Sequence, residues 1–338
     1  MLRRSLLAPA VGVLLASTVL TACASSDEPA QAEETTRVVQ SAYGEVEIPT
    51  EPKRIIADVL TIDYLTALGY DTANIVGVFG LDYYADDEDY YLHEEVARDG
   101  LVDPGWAFEV NVEKVAAAEP DLILLPFDQI DGAEAREQLA EIAPLVAVPT
   151  SESTPEEGRY GGTASFQDWR GTLRSYGKIL DWEDEAEAYI EETEGILDDL
   201  REEHADTIAM TRVVQAKSTP DYVAVNPITN DKAAIGSILL RELGFTEPDA
   251  VVRAEADEWG SIELSQENTT LLDGDLLFLE VRENTKRHEQ SPLWDTLHVV
   301  KNDRVVIVGN HWQVGGALAA REILSDVDET LTTIAGDA

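Results

Sequence analysis

The chain has 338 residues, 44% of them hydrophobic, so it is long enough for two domains with their own cores and too apolar to be disordered. Its 67 Asp and Glu stand against 24 Lys and Arg, a formal net charge of −43 at pH 7. A surface of that sign repels phosphate backbones and anionic headgroups, which excludes nucleic acid as a partner and suits a salty or secreted setting, or a cationic ligand.

At the start, Arg3 and Arg4 precede an apolar run from Ser5 to Leu20 that is too short and too rich in small residues for a membrane span. Leu20-Thr21-Ala22-Cys23 follows and looks like a bacterial lipobox, in which the cysteine becomes the lipidated first residue of the mature protein. Residues 1–22 are therefore read as a lipoprotein signal peptide and Cys23 as the lipidation site. Cys23 is the only cysteine, so no intramolecular disulfide can form. Several acyl chains on one residue would make a stable membrane anchor. Residues 23–36 carry almost no large apolar side chain and read as a flexible tether.

Residues 37–163 read as a first α/β lobe. Short β pieces at Val38-Val39 and Val46-Glu47-Ile48 surround a turn at Tyr43-Gly44, and Arg54 to Asp58 is a strand leading into a helix that stops at Gly69. Further strands are expected at Ile75–Gly80, Asp121–Leu125 and Leu145–Val148, with helical stretches between them. Strand, helix, strand at these intervals argues a parallel sheet covered on both faces. Between the second and third of these strands lies an acidic, aromatic loop from Asp82 to Glu95, without Lys or Arg. A solvated loop is its plainer reading. Ligands of open parallel sheets, however, sit beyond the carboxyl ends of strands, and this loop leaves such an end, so Tyr83 and Tyr84 are candidate wall residues. Trp106 follows in a second loop, and Arg159 and Tyr160 stand in a glycine-rich stretch.

Residues 164–206 read as a helical linker. Phe166, Trp169, Leu173, Tyr176 and Leu180 mark a first helix that breaks near Asp181. Beyond it Ala186, Tyr189, Ile190, Thr193, Ile196, Leu197 and Leu200 recur at three- and four-residue steps, one apolar stripe on a solvated helix. Asp181 is expected to cap this second helix, with Glu183, Asp184 and Glu185 in its first turn. From Asp184 to His204 it would run about 30 Å, long enough for a strut between two lobes.

Residues 207–338 read as the second α/β lobe, with strands at Arg212–Gln215, Tyr222–Val225, Leu276–Val281 and Arg304–Val308 and a final helix from Ala317. The third of these strands delivers Arg282 at its carboxyl end, and the last delivers His311 and Trp312.

The two halves repeat one pattern. Asn111-Val112-Glu113 opens a helix ending at Glu119-Pro120, before the strand Asp121-Leu122-Ile123-Leu124-Leu125; Ser265-Gln266-Glu267 opens another, before Asp275-Leu276-Leu277-Phe278-Leu279. Capping residue, early Glu, helix stop, Asp and apolar strand recur in the same order and spacing. Glu113 and Glu267 thus hold equivalent places, either as acids favoured by a helix dipole or as a pair of exposed carboxylates, one per lobe, that grip arginines of a partner.

In this order, behind a lipobox, the residues resemble the lipid-anchored substrate-binding proteins of ABC importers for ferric siderophores and cobalamin. The carriers are Gly44-Glu45-Val46-Glu47-Ile48-Pro49, Pro52-Lys53-Arg54-Ile55, Asn111 to Val115, Glu119 to Ile123, Ser291-Pro292-Leu293-Trp294, Val299 to Val305, and Gly315-Gly316-Ala317. The resemblance implies an α/β fold of two Rossmann-like lobes with parallel sheets, joined by a single long rigid helix, with ligand held in the cleft between them. It implies that Glu113 and Glu267 dock onto arginines of the ABC permease, that the protein is a monomer on the extracytoplasmic face of the bacterial cell membrane, and that it is not an enzyme and carries no cofactor.

Catecholate siderophores are highly anionic and need several Arg or Lys, whereas hydroxamates are held by a few hydrogen bonds and aromatic walls. The candidate loops offer Arg159, Lys217 and Arg282 beside Tyr83, Tyr84, Trp106, Tyr160, Trp259 and Trp312, so a ferric hydroxamate is the expected ligand. Cobalamin, haem and free metal ions are the alternatives, although the five His show no metal-ligand spacing. The rival reading of an enzyme on this scaffold finds no Gly-x-Ser-x-Gly, no His-Glu-x-x-His and no phosphate loop.

Overall fold

The computed structural model describes residues 35–88, 90–149, 168–230, 232, 234–282 and 285–336. Cys23, the signal segment and most of the tether lie outside the described residues, as do Arg159 and Tyr160.

The chain enters the fold through an antiparallel hairpin of β1 (Thr36–Ser41) and β2 (Gly44–Pro49). The first lobe is built on β3 (Ile55–Asp58), β4 (Ile75–Phe79), β5 (Leu122–Leu125) and β6 (Leu145–Ala147), in the order β4-β3-β5-β6 and parallel throughout. The second lobe holds β7 (Val213–Ser218), β8 (Val223–Val225), β9 (Ile262–Glu263), β10 (Leu276–Val281) and β11 (Val305–Val308), in the order β11-β10-β7-β8-β9. Here the expectation of a parallel sheet holds only for β7, β10 and β11; the β7–β8 and β8–β9 pairs are antiparallel. The cause is local. Thr219 and Tyr222 close a tight turn around Pro220-Asp221, with Thr219 N donating to Tyr222 O at 2.9 Å, and a link that short reverses the chain instead of crossing over.

Strand alternation sorts the side chains into three cores. Ile56, Phe79, Ile123 and Leu125 face the outer side of the first sheet, and Val214, Ala216, Leu277 and Leu279 the outer side of the second. Their neighbours Ile55, Ala57, Leu122, Leu124, Val213, Leu276 and Phe278 all join one central core that also takes in the linker and C-terminal helices.

The linker breaks where the sequence predicts, for a different reason. Asp181 takes a left-handed conformation (φ 61°) and ends helix Trp169–Leu180, with Trp182 N bonded to Gly177 O; the residue before helix Glu183–Glu203 is Trp182, whose side chain makes no cap. Glu183, Asp184 and Glu185 alone support that helix start. The 21-residue helix folds back along its predecessor: Arg174 clasps Glu187 at 2.7 and 3.0 Å, and Arg170 reaches Glu194 at 2.8 Å and Glu242 of helix Ile235–Leu243 at 3.1 Å. Ala186, Ile190, Thr193, Leu197 and Leu200 of the predicted stripe are buried, whereas Ile196 is exposed. Tyr176 of the first linker helix stacks on Tyr64 of helix Val59–Ala67 at 5.0 Å.

Helix Ala317–Gly336 closes the assembly from between the lobes. Arg321 lies over the Tyr189 ring and donates to Tyr189 O and Thr193 Oγ1, while Leu318 N and Ala319 N donate to Asp63 of the first lobe at 2.9 and 3.0 Å. Gly316 makes this approach feasible, because a Cβ there would lie 2.6 Å from both Asp63 Oδ1 and the Tyr64 ring.

Candidate ligand cleft

In the order β4-β3-β5 the strands added after β3 lie on opposite sides of it, so the strand order switches between β3 and β5; about β7 it switches in the same way, with β8 on one side and β10 on the other. Ligands of open sheets bind at the carboxyl ends of such pairs. Those ends carry Asp58 and the residues after β5 on one lobe, and Ser218 with Glu280 to Arg282 on the other.

The first-lobe wall is aromatic. Gly80 turns the chain out of β4 with φ 71°, and the Trp106 ring packs where its side chain would be, a Cβ there lying 2.6 Å from the ring. The short helix Leu81–Tyr84 then presents Tyr83 and Tyr84, whose rings meet edge-on at 4.9 Å. Trp106 lies 5.7 Å from Tyr83 and 6.1 Å from Tyr84, and stacks on Phe108 at 5.9 Å. Tyr83 is 48% and Trp106 36% exposed, large apolar faces open to solvent beside a buried set. Behind them Tyr84 touches Tyr90, Tyr90 touches Tyr91, and the Tyr91 ring reaches His311 of the second lobe at 5.6 Å. Tyr91 also donates its hydroxyl to Asp63 Oδ2 at 2.9 Å.

Arg282 comes from the opposite side. Burial works to lower its pKa, but Glu280 outweighs it, and the tyrosines Tyr83 and Tyr84 add to the upward pull. In return Arg282 counters the rise that burial, Asp58 and Tyr83 impose on the Tyr84 hydroxyl. Arg282 Nε donates to Glu280 Oε1 at 2.7 Å, so its charge is already matched within the protein. Glu280 is 1% exposed, and burial pushes its carboxyl up against the pull of Arg282, Lys217 and His311. Lys217 is its register partner on β7 and lies over the Tyr222 ring at 5.3 Å. On the first lobe, Asp58 accepts from Leu60 N at 2.8 Å as helix cap, while burial raises its carboxyl to about 6.

Tyr83, Tyr84, Trp106 and Arg282 are thus brought to one place. Trp312 is not with them. It is fully buried, stacked on Phe278 at 4.4 Å with its Nε1 donating to Asp326 at 2.7 Å, and it belongs to the central core. Trp259 is 54% exposed in the loop before β9, at the far edge of the second sheet from β10. Asp58, Tyr90, Tyr91 and Glu280 were missing from the sequence candidates. Glu280 carried a signal, as the single acid inside the apolar run Leu276–Val281. Among the described residues no group of three or more His, Cys, Asp or Glu is placed to hold a metal ion.

The internal repeat is real in its hydrogen bonds. Asp121 accepts from Lys53 N and Arg54 N at 2.6 and 2.9 Å, and its own N donates to Arg54 O; Asp275 accepts from Arg212 N at 2.9 Å, and its N donates to Arg212 O. In each lobe this Asp clips the central strand to the first one. Glu113 and Glu267 open the preceding turns, helix Val112–Ala117 and the 3₁₀ helix Gln266–Leu272, and both are exposed.

The sequence model of the periplasmic binding protein family matches residues 58–311. The chain belongs to that family. Among relatives of this periplasmic binding protein, "Probable siderophore-binding lipoprotein YfiY" of Bacillus subtilis is 28% identical over 93% of this chain and 94% of its own length. "Iron(3+)-hydroxamate-binding protein YxeB" of the same organism is 23% identical over 84% and 81%. The crystal structure of the petrobactin-binding protein YclQ of Bacillus subtilis superposes with a TM-score of 0.66 at 19% identity, covering 88% of this chain and 99% of that one. This periplasmic binding protein is a substrate-binding protein of transport and not an enzyme.

Proposed function

We propose that the protein captures a ferric siderophore of hydroxamate type in the cleft between its lobes and delivers it to an ABC permease. The observation that carries the reading is the aromatic wall of Tyr83, Tyr84 and Trp106 facing Arg282, whose charge Glu280 already balances. Such a site offers ring faces and guanidinium donors with little net positive charge, which suits an uncharged or cationic ferric hydroxamate and disfavours a highly anionic catecholate. The names of the siderophore- and hydroxamate-binding relatives point the same way.

In this reading Arg159 and Tyr160 also contribute to the cleft, and Trp259 to its rim. Glu113 and Glu267, exposed and equivalent in the two lobes, meet arginines of the permease. The lobes are residues 37–163 and 207–338, with 164–206 as linker. Cys23 carries the lipid that holds a monomer at the extracytoplasmic face of the cell membrane after removal of residues 1–22, and residues 23–36 are the tether; no helix of the described residues is long and apolar enough to cross a membrane. The ligand is cargo, and no cofactor takes part.

The test is a titration of residues 24–338 with ferrioxamine B, a ferric catecholate and cobalamin, followed by tryptophan fluorescence and calorimetry. Half-exposed Trp106 is the reporter expected to quench. Selective sub-micromolar binding of ferrioxamine B supports the reading, and tighter binding of either other compound overturns the hydroxamate assignment.

A further inference from the structure

Within the proposed ligand site, and resting on that reading, Glu280 holds an unusual position. It sits on the penultimate residue of β10, on the same sheet face as Leu276 and Phe278, which lead into the central core shared with the first lobe. Oε1 accepts from Arg282 Nε at 2.7 Å and lies 3.4 Å from Asn310 Nδ2. Oε2 is buried and has no hydrogen-bond partner in the protein. A carboxylate oxygen buried without a donor costs on the order of 1–3 kcal/mol, and the pairing with Arg282 uses only one of the two oxygens.

The nearby cations make the point sharper. Arg282 lies near enough to Tyr83 and Tyr84 for their hydroxyls to act on its charge, and its Nε is committed to Glu280. Lys217, across the ladder from Glu280, is the second permanent cation acting on it, and His311 pulls the same way. Without Glu280 these two would give this end of the cleft a net positive charge, as an anionic ferric complex requires.

We infer that Glu280 is the residue that sets charge selectivity: it cancels Arg282 while orienting it, so that the guanidinium serves ligands as a hydrogen-bond donor and not as a counter-ion. Glu280 acts on anionic ligands through Arg282 and is in that respect a positioning residue.

The test compares the unaltered soluble chain with Glu280→Gln and Glu280→Ala against three probes: cationic ferrioxamine B, uncharged ferrichrome, and an anionic ferric tris-catecholate. The expected result is a change of rank order. Ferrioxamine B weakens by about tenfold or more and the tris-catecholate strengthens by about tenfold, the scale of one unbalanced charge a few ångströms away in a partly buried site. In the double variant E280Q/R282Q the gain for the tris-catecholate disappears. Thermal unfolding of each variant checks that it is folded, and the alanine variant, which leaves room for water beside the guanidinium, stands in where the glutamine variant is not. A parent chain that binds none of the probes overturns the siderophore reading and this inference with it. A parent that binds ferrioxamine B, with variants that lose affinity for all probes equally or keep the parental order, overturns the inference alone.

Discussion

Asp63 is the residue on which the joint between the lobes depends, and replacing it with Ala tests that directly. It is fully buried on helix Val59–Ala67 and accepts from Leu318 N, Ala319 N and the Tyr91 hydroxyl at 2.9, 3.0 and 2.9 Å. Asp63→Ala strands all three donors, and each buried donor left unpaired costs about 1–3 kcal/mol. Relief of a desolvated charge and entry of a water into the space offset part of that sum, which leaves an expected loss of about 3 kcal/mol. Tyr91→Phe removes one of the three bonds and should cost about 1 kcal/mol, and in the double variant the two losses should not add, because both remove the same bond. Urea unfolding of residues 24–338, followed by far-ultraviolet circular dichroism, measures each value. An Asp63→Ala chain within 1 kcal/mol of the parent would refute the reasoning.

Asp58 gives a pH signature. Its folded carboxyl titrates at about 6 against about 3.9 in an unfolded chain, so its charge burdens the fold above pH 6, by about 3 kcal/mol, and that burden is lifted as pH falls from 6 towards 4. Asp58→Asn keeps a capping side chain, so its stability advantage over the parent should be largest near pH 7 and shrink towards pH 4 in denaturation series. Gly316→Ala should destabilise by about 2 kcal/mol or more, since its methyl would meet the Tyr64 ring at 2.6 Å; a melting temperature within a degree of the parent would contradict this. Glu113→Ala and Glu267→Ala, alone and together, should leave ligand affinity unchanged in calorimetry while lowering iron uptake by cells, the double variant most.

The sequence announced the fold through local chemistry. An Asp before a strand in each half, a Glu eight residues earlier, and apolar runs at regular intervals pointed to the α/β class, and the hydrogen bonds of Asp121 and Asp275 show what that repeated Asp does. Strand direction in the second sheet was less legible, because it turns on whether Pro220-Asp221 closes a hairpin, and β9 has only two residues. Trp312 was misjudged because position after a strand does not say which way a ring points; Phe278 and the nearby Gly236 draw it inward. Tyr83, Tyr84 and Trp106 drew notice because they fall outside any periodic run, and the structure gathers their rings into one cluster. Glu280 and Asp63 were passed over because each sits inside an apolar segment, and their meaning comes from partners on distant parts of the chain, Asn310 for one and Leu318 and Ala319 for the other.

The central core passes unbroken from the first sheet through the linker hairpin and the C-terminal helix to the second. Neither lobe, cut from the other, would keep the inner face of its own sheet dry. Denaturation should therefore register one cooperative transition for the whole folded body, and ligand held in the cleft should protect amides deep in both lobes. A nascent chain gains this side of the core only when residues 317–336 emerge, so the first lobe completes its burial after the second has been made.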